Sequence, residues 1–594
     1  MKTTIRVGNA QAFWGDQSSA AANLLSQLPD LDFLTMDYLA EVSMSILAAQ
    51  REQDAARGFP QDFVDVVSGL AEYWSAGGRC RLIANAGGLN PVGCAEACIT
   101  ALERAGCRSL KIGVVSGDNV LPQLLTSDPR TQSFQNLDTQ ASLVSIRDKL
   151  ITANAYLGCR GIVQALQAGA DIVITGRVAD PSMVVAPCVY AFGWHETEWD
   201  RIAGATVAGH LLECGTHVTG GISTDWLEVR DPAHLGFPIA EIHSDGTCVV
   251  TKSPLSGGRV TLETVKEQLL YEIGDPDHYL SPDVTVSFLN LQLAEEGADR
   301  ISVRGAVGRP CPPTLKISAT YRDGFRAAGM LTIFGPQSVR KAQRCGEIVL
   351  QRLGEAGHQY RDTIVECLGN AGSVPVGMLA ADADSSYETI LRIAVESDSR
   401  AAVEQFTREL MPLVTAGPQG TTGYGEGRPR IHAVVRYWPC LIETGKVAAE
   451  MELFSTLDTT ATRNLAAAWP SPKIVSMPTD APQHLVRQVT LDDAVRLADI
   501  AYGRSGDKGT SANIGILARS PLNYPWLVDW LTPDRVLKFF EPLGVDSVER
   551  FELPNLCGLN FVVRGILQRS LRNDAQGKAL AQALLSMPLH KSSR

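Results

Sequence analysis

The first 180 residues repeat one rhythm: a short run of Ile, Val, Leu and Phe, a loop carrying Gly, Asn, Asp or Ser, then a helical apolar spacing. That alternation restricts the chain to β-α units, because parallel neighbours need a long crossover and a helix supplies it. Strands are predicted over residues 4–8, 32–37, 81–85, 110–115 and 172–175, with helices over 19–26, 38–50, 93–105 and 159–168. The expected fold class is α/β, a doubly wound and mostly parallel sheet in a large N-terminal domain, followed by a smaller α+β domain.

The clearest unit is residues 81–119, in which Arg-Leu-Ile-Ala leads to Asn-Ala-Gly-Gly-Leu-Asn-Pro, a helix ending at Gly106 and a second strand. From about 225 to 454 the pattern turns mixed. Residues 465–490 carry Trp-Pro-Ser-Pro-Lys and Met-Pro-Thr-Asp-Ala-Pro, and proline at that density disfavours helix and central strand, so the segment reads as a linker. The expected boundaries are therefore 1–464, 465–490 and 491–594.

A net charge of −12 argues against a nucleic-acid partner, which needs clustered Lys and Arg. No run reaches the roughly 18 apolar residues of a membrane span, and the N-terminus lacks the apolar core of a secretory signal. The 13 Cys are an odd number, which in a chain with no export signal reads as reduced thiols and a cytoplasmic location. Large intracellular enzymes are commonly symmetric, so a homo-oligomer is expected.

In an open parallel sheet, ligands bind beyond the carboxyl ends of the strands. The first predicted strand leads into the polar loop 8–16, and the polar residues at or just past the ends of the other four are Asp37 and Glu41, then Asn85, Gly87, Gly88 and Asn90, then Ser116, Asp118 and Asn119, then Arg177 and Asp180. One glycine loop after a strand has a simple reading as a tight turn with positive φ; the convergence of polar loops from five strands points to a site. No Gly-x-Gly-x-x-Gly or Gly-x-x-x-x-Gly-Lys-Ser/Thr spacing supports a dinucleotide or P-loop assignment.

Glu213, Cys214 and His217 lie in one glycine-bounded stretch. His217 can act there as a general base with Cys214 or Glu213 as partner, or can simply close a helix C-terminus at Gly215. Neither His-x-x-x-His nor His-Glu-x-x-His is present, so no metal is assigned. Cys94 and Cys98 share a helix face and read as small core residues. Arg504 and Lys508, among glycines between two strand-like runs, suit a carboxylate or a coenzyme phosphate or else a charged surface turn.

The segments 8–16, 34–43, 85–91, 115–119, 174–182 and 504–509 resemble the acyclic terpene utilisation (AtuA-like) family over nearly the whole chain. The resemblance implies a ferredoxin-like fold for the C-terminal domain and a place in catabolism of citronellol, geraniol or related branched acyl chains. It further implies a small-molecule acyl-CoA substrate, with the coenzyme A thioester as substrate moiety and no other cofactor. The expected reaction is a lyase or hydratase step on a branched 3-hydroxyacyl-CoA such as 3-hydroxy-3-isohexenylglutaryl-CoA. Asp37, Glu41 or His217 would then serve as base, the Asn85–Gly88 amides as enolate donors, and Arg177 as partner of the free carboxylate. Familiar lyases for such thioesters carry a His-x-His metal pair, which this sequence lacks. The alternative is a non-catalytic subunit that binds acyl-CoA or scaffolds pathway partners.

Overall fold

A computed structural model of the chain describes residues 2–107, 109–128, 133–369, 387–423, 427–455, 458–463, 494–567, 571 and 577–589. The predicted linker over 465–490 lies outside the described residues. The chain divides into two compact units, Met1–Thr320 with Tyr437–Arg487 and Phe551–Asn560, and Tyr321–Arg436 with Gln488–Arg550 and Phe561–Arg594.

The first unit contains strands β1 (Thr4–Asn9), β2 (Phe33–Met36), β3 (Arg81–Ala84), β4 (Lys111–Ser116), β5 (Leu150–Ala155), β6 (Ile172–Thr175), β7 (Pro238–His243) and β8 (Cys248–Lys252). Its early helices are α1 (Ala20–Gln27), α2 (Glu41–Gln53), α3 (Gln61–Gly69), α4 (Ala71–Ser75) and α5 (Pro91–Arg104). The later ones are α6 (Leu121–Thr126), α7 (Arg160–Gln167), α8 (Ser182–Phe192) and α9 (Trp199–Leu212).

An eleven-stranded sheet organises this unit, and its centre is parallel in the order β1-β2-β3-β6-β4. Outside that centre every pairing is antiparallel: β7, β8, Arg300–Arg304 and Gln292–Gly297 extend one edge, Glu450–Ser455 and Asp458–Arg463 the other. The sheet is thus mixed, which corrects the expectation of a mostly parallel one. The edges come from hairpins remote in sequence, such as β7–β8 around Gly246 at φ +91, and need no crossover helix.

The central strands read as unbroken apolar runs because both faces are covered. Leu34, Met36, Leu82 and Ile112 pack on one face with Leu24 of α1, Phe63 of α3 and Leu102 of α5. On the other face Phe33 meets Tyr190 of α8, ring centroids 6.4 Å apart. Gly113 lies so close to α7 that a Cβ there would stand 2.6 Å from that of Ala165.

The predicted helix over 38–50 begins later, at Glu41. Ala40 is extended (ψ 172) and its N–H donates to Ser43 Oγ at 3.2 Å, so residues 38–40 stay outside the helix and are free to bond elsewhere.

In the second unit, Asp362–Leu368, Glu388–Ser397 and the 325–334 part of Thr314–Phe334 pair antiparallel, and Val349 and Phe406 lie in the core built on them. The C-terminal sheet has the order Ala501–Lys508, Ser511–Ala518, Gly558–Arg564, Ser547–Leu553. The segment 502–509, expected between two strands, is itself nearly all strand: Arg504 pairs with Gly515 and Lys508 with Ser511. The turn falls at Gly509, φ +62. No helix among the described residues is long and apolar enough to cross a membrane.

Candidate active site

At the carboxyl end of β3, Asn85 is completely buried. Its Oδ1 accepts from the Tyr38 N–H at 2.7 Å and its Nδ2 donates to Asp37 Oδ1, also at 2.7 Å. A backbone donor on one side and a carboxylate on the other fix which way the amide points. The Leu39 N–H donates to the same Asp37 oxygen at 3.1 Å, which is the work the extended 38–40 segment does. Burial pushes the Asp37 carboxyl well above the usual carboxylate range, and Asp180 adds to that. The Arg177 guanidinium and the bonds from Asn85 and Leu39 pull the other way.

Arg177 follows β6 and is buried at 3% exposure. Its Nη1 donates to the Leu39 carbonyl and its Nη2 to Tyr156 Oη at 2.8 Å, while the guanidinium stacks 4.3 Å from the centroid of the Tyr156 ring. Asp180, three residues on, is 3.7 Å away and partly open to solvent. The Lys316 ammonium lies 5.3 Å from the same tyrosine ring. A buried cation is costly unless paired, and here both Nη atoms of Arg177 are engaged by this chain's own groups. It organises Asp37, Asp180 and Tyr156 rather than presenting an open fork.

Behind this cluster lies Asp118, buried at 4%, whose Oδ2 accepts from Arg177 N–H at 2.9 Å and from Asn154 Nδ2 at 2.6 Å. Burial raises its carboxyl, against the bonds from Arg177 and Asn154. The approach depends on a missing side chain: a Cβ on Gly176 would stand 2.4 Å from Asp118 Oδ1. Asp37, Asn85, Asp118, Arg177 and Asp180 thus form one network at the ends of β2, β3, β4 and β6.

Several other candidates hold the scaffold. Gly87 N–H donates to the Thr175 carbonyl at 2.9 Å and Gly88 N–H points back to that of Asn85 at 3.4 Å, so those two amides are used inside the fold. Gly88 has φ +54, and a Cβ there would be 2.7 Å from the Gly58 carbonyl. Asn90 caps α5, accepting from Gly93 N–H at 3.1 Å with Pro91 following, and donates to the carbonyls of Ala56 and Arg57. Ser116 pairs with Glu450. Asn119 is exposed and accepts from Leu121 N–H at 3.1 Å, opening α6. Glu41 heads α2, and its side chain lies outside the described residues.

Cys214 and His217 sit on the turn after α9, where His217 N–H reaches the Cys214 carbonyl at 3.2 Å and the His217 ring stands edge-on to Tyr271. An imidazole–carboxylate pair also stands in this region. His210, buried at 1%, places Nδ1 3.0 Å from Glu213 Oε1 and Nε2 3.0 Å from the Gln268 carbonyl. Tyr279 stands edge-on to His210; burial pushes its phenol up, and the charges of Glu213 and Asp180 add to that. Arg504 is buried within its strand; the Lys508 side chain lies outside the described residues.

Asn154, Tyr156 and His210 are the members that sequence reasoning missed. A usable signal existed, since the Asn154-Ala-Tyr run closes a strand as Asn85-Ala-Gly does. Among the described residues, no group of three or more His, Cys, Asp or Glu is arranged to hold a metal ion.

Residues 5–453 match the model of the acyclic terpene utilisation family protein AtuA, and residues 495–590 match the AtuA ferredoxin-like domain. No curated protein and no solved structure matches the chain.

Proposed function

The chain belongs to the acyclic terpene utilisation family AtuA, and on that premise we propose that it is a lyase or hydratase acting on a branched 3-hydroxyacyl-CoA such as 3-hydroxy-3-isohexenylglutaryl-CoA. The observation that carries the reading is the pair of carboxyls in the Arg177 network: Asp37, buried, raised and bonded to Asn85, and Asp180, partly open and 3.7 Å from Arg177. Two carboxyls whose environments differ in this way suit acid and base roles near neutral pH.

In cleavage, a base removes the proton of the tertiary hydroxyl. The bond from the carbinol carbon to the carboxymethyl carbon breaks, and its electron pair stays on the departing carbon. Protonation there leaves acetate and a 3-oxoacyl thioester. Asp180 is the accessible carboxylate for the first proton, and Asp37 is the group best able to hold a proton for the last. Arg177 stabilises whichever carboxyl is ionised, and Tyr156, bonded to Arg177, is the neighbouring donor for developing negative charge.

The test is a single-turnover assay of the purified chain with this thioester, following acetate and the coenzyme A species. Turnover by wild type and its loss in Asp180→Asn, with binding retained, is the expected result. Saturable binding without turnover would instead favour a non-catalytic acyl-CoA-binding subunit. That rival draws on the bonds that tie both Nη atoms of Arg177 and the Asn85 amide to this chain's own groups.

A further inference from the structure

A groove of about 220 Å³ opens between α2, α6 and β5, on the far side of Asp118 from Arg177 in the chain of hydrogen bonds. Its apolar wall is Ala48, Leu89, Leu121 and Ile151. Arg51 and Glu52 stand at an exposed rim, where their opposite charges leave little net field to draw an anion. Pockets that enclose a whole small molecule run to about 300–1,000 Å³, so this groove holds a segment of a longer ligand.

The polar feature is Asn154, 2% exposed and part of the groove wall. Its Nδ2 is committed to the Asp118 carboxylate at 2.6 Å, which fixes the amide's orientation because the reverse would set two acceptors together. Its Oδ1 is therefore the free end, and this buried atom has no hydrogen-bond partner. Native proteins rarely leave such an acceptor unpaired. Thr152, the other buried polar wall residue, is already bonded to Thr320 at 2.7 Å. The occupant must be slim, largely apolar and uncharged, and must bring an N–H or O–H donor to Asn154.

We infer that this groove binds the pantetheine arm of the coenzyme A thioester, with an arm amide N–H donating to Asn154 Oδ1 and the intervening methylenes against Leu89, Leu121 and Ile151. The inference rests on the thioester reading above and deepens it. The arm would lie two hydrogen-bond steps from the Arg177 backbone N–H, through Asn154 and Asp118.

The test uses the full chain and pantetheine itself, titrated calorimetrically into wild type, Leu121→Trp and Ala48→Phe, with circular dichroism confirming that each variant is folded. Both substitutions fill the groove from opposite walls. Saturable binding by wild type, weakened at least ten-fold in both variants, is expected. No saturable binding by wild type, or equal affinity in all three proteins, overturns the inference. Turnover of the thioester with an unchanged KM in Leu121→Trp likewise overturns it while leaving the reaction intact. Pantetheine held at the groove with no turnover sinks the reaction and keeps the site.

Discussion

Gly176→Ala is the sharpest perturbation of the network, because the missing methyl has a defined place. The new Cβ would stand 2.4, 2.7 and 2.8 Å from Oδ1, Cγ and Oδ2 of Asp118, all inside ordinary van der Waals contact. The obstacle is a buried carboxylate that already holds Asn154 and the Arg177 N–H. To restore normal contact the carboxylate must retreat by roughly 1 Å, beyond the reach of at least one of those bonds. A lost bond to a charged group costs about 1.5–3 kcal/mol and overpacking about 1–3 kcal/mol, so a loss of about 3–5 kcal/mol is expected. Urea unfolding followed by tryptophan fluorescence measures it. Gly69→Ala, where a Cβ meets nothing within 4 Å, is the control and should be neutral or slightly stabilising. The cause is isolated by a double-mutant cycle with Asp118→Ala, in which the cost of the added methyl should largely vanish. An unshifted urea midpoint for Gly176→Ala, or an undiminished cost in the Asp118→Ala background, would refute the reasoning.

Asp37→Asn separates charge from shape. The Asp37 carboxyl is raised in the folded state, so its protonated form contributes stability that is present below the unfolded value of about 3.9 and is lost as pH rises through the folded value. The variant, which does not titrate, should therefore gain on wild type as pH climbs above about 4, and a difference independent of pH would show that Asp37 is not raised. Asn90→Ala should lower the urea midpoint by the equivalent of about 1 kcal/mol or more, the worth of a helix cap; no change would mean that the cap and the two carbonyl bonds carry nothing. None of the 13 cysteines is in a disulfide and only Cys311 is fully exposed, so a thiol reagent should modify one group fast in the native protein, and Cys311→Ser should remove that phase.

The central strands were legible because burial on both faces leaves an apolar run with a polar terminus, and that pattern is local. The position of Asp37, Asn85, Asp118, Arg177 and Asp180 at or just past strand ends was legible for the same reason. Which of them touch was not legible, since Asn85 to Asp37 spans 48 positions and Arg177 to Leu39 spans 138. Asn154 and Tyr156 were missed because β5 pairs with Thr314–Phe334 outside the central sheet, and Leu150–Ala155 shows no long apolar run. Glycine read as a ligand cradle proved double-edged. Gly88 serves a tight turn, whereas Gly176 is needed because it admits a carboxylate, and composition alone does not distinguish the two. His210 was overlooked beside His217, because the packing of α9 that brings the His210 imidazole to Glu213 leaves no mark in the sequence.

The bond from the Tyr38 N–H to Asn85 Oδ1 carries a consequence for local opening. An amide in an extended segment ordinarily exchanges its proton with solvent quickly, yet this one is buried and bonded to a side chain from another β-α unit. Its exchange rate is thus set by the separation of β2 from β3 rather than by fraying of the nearby helix. Deuterium uptake at that single position would report, in the resting protein, how often the Asp37 carboxyl loses its alignment.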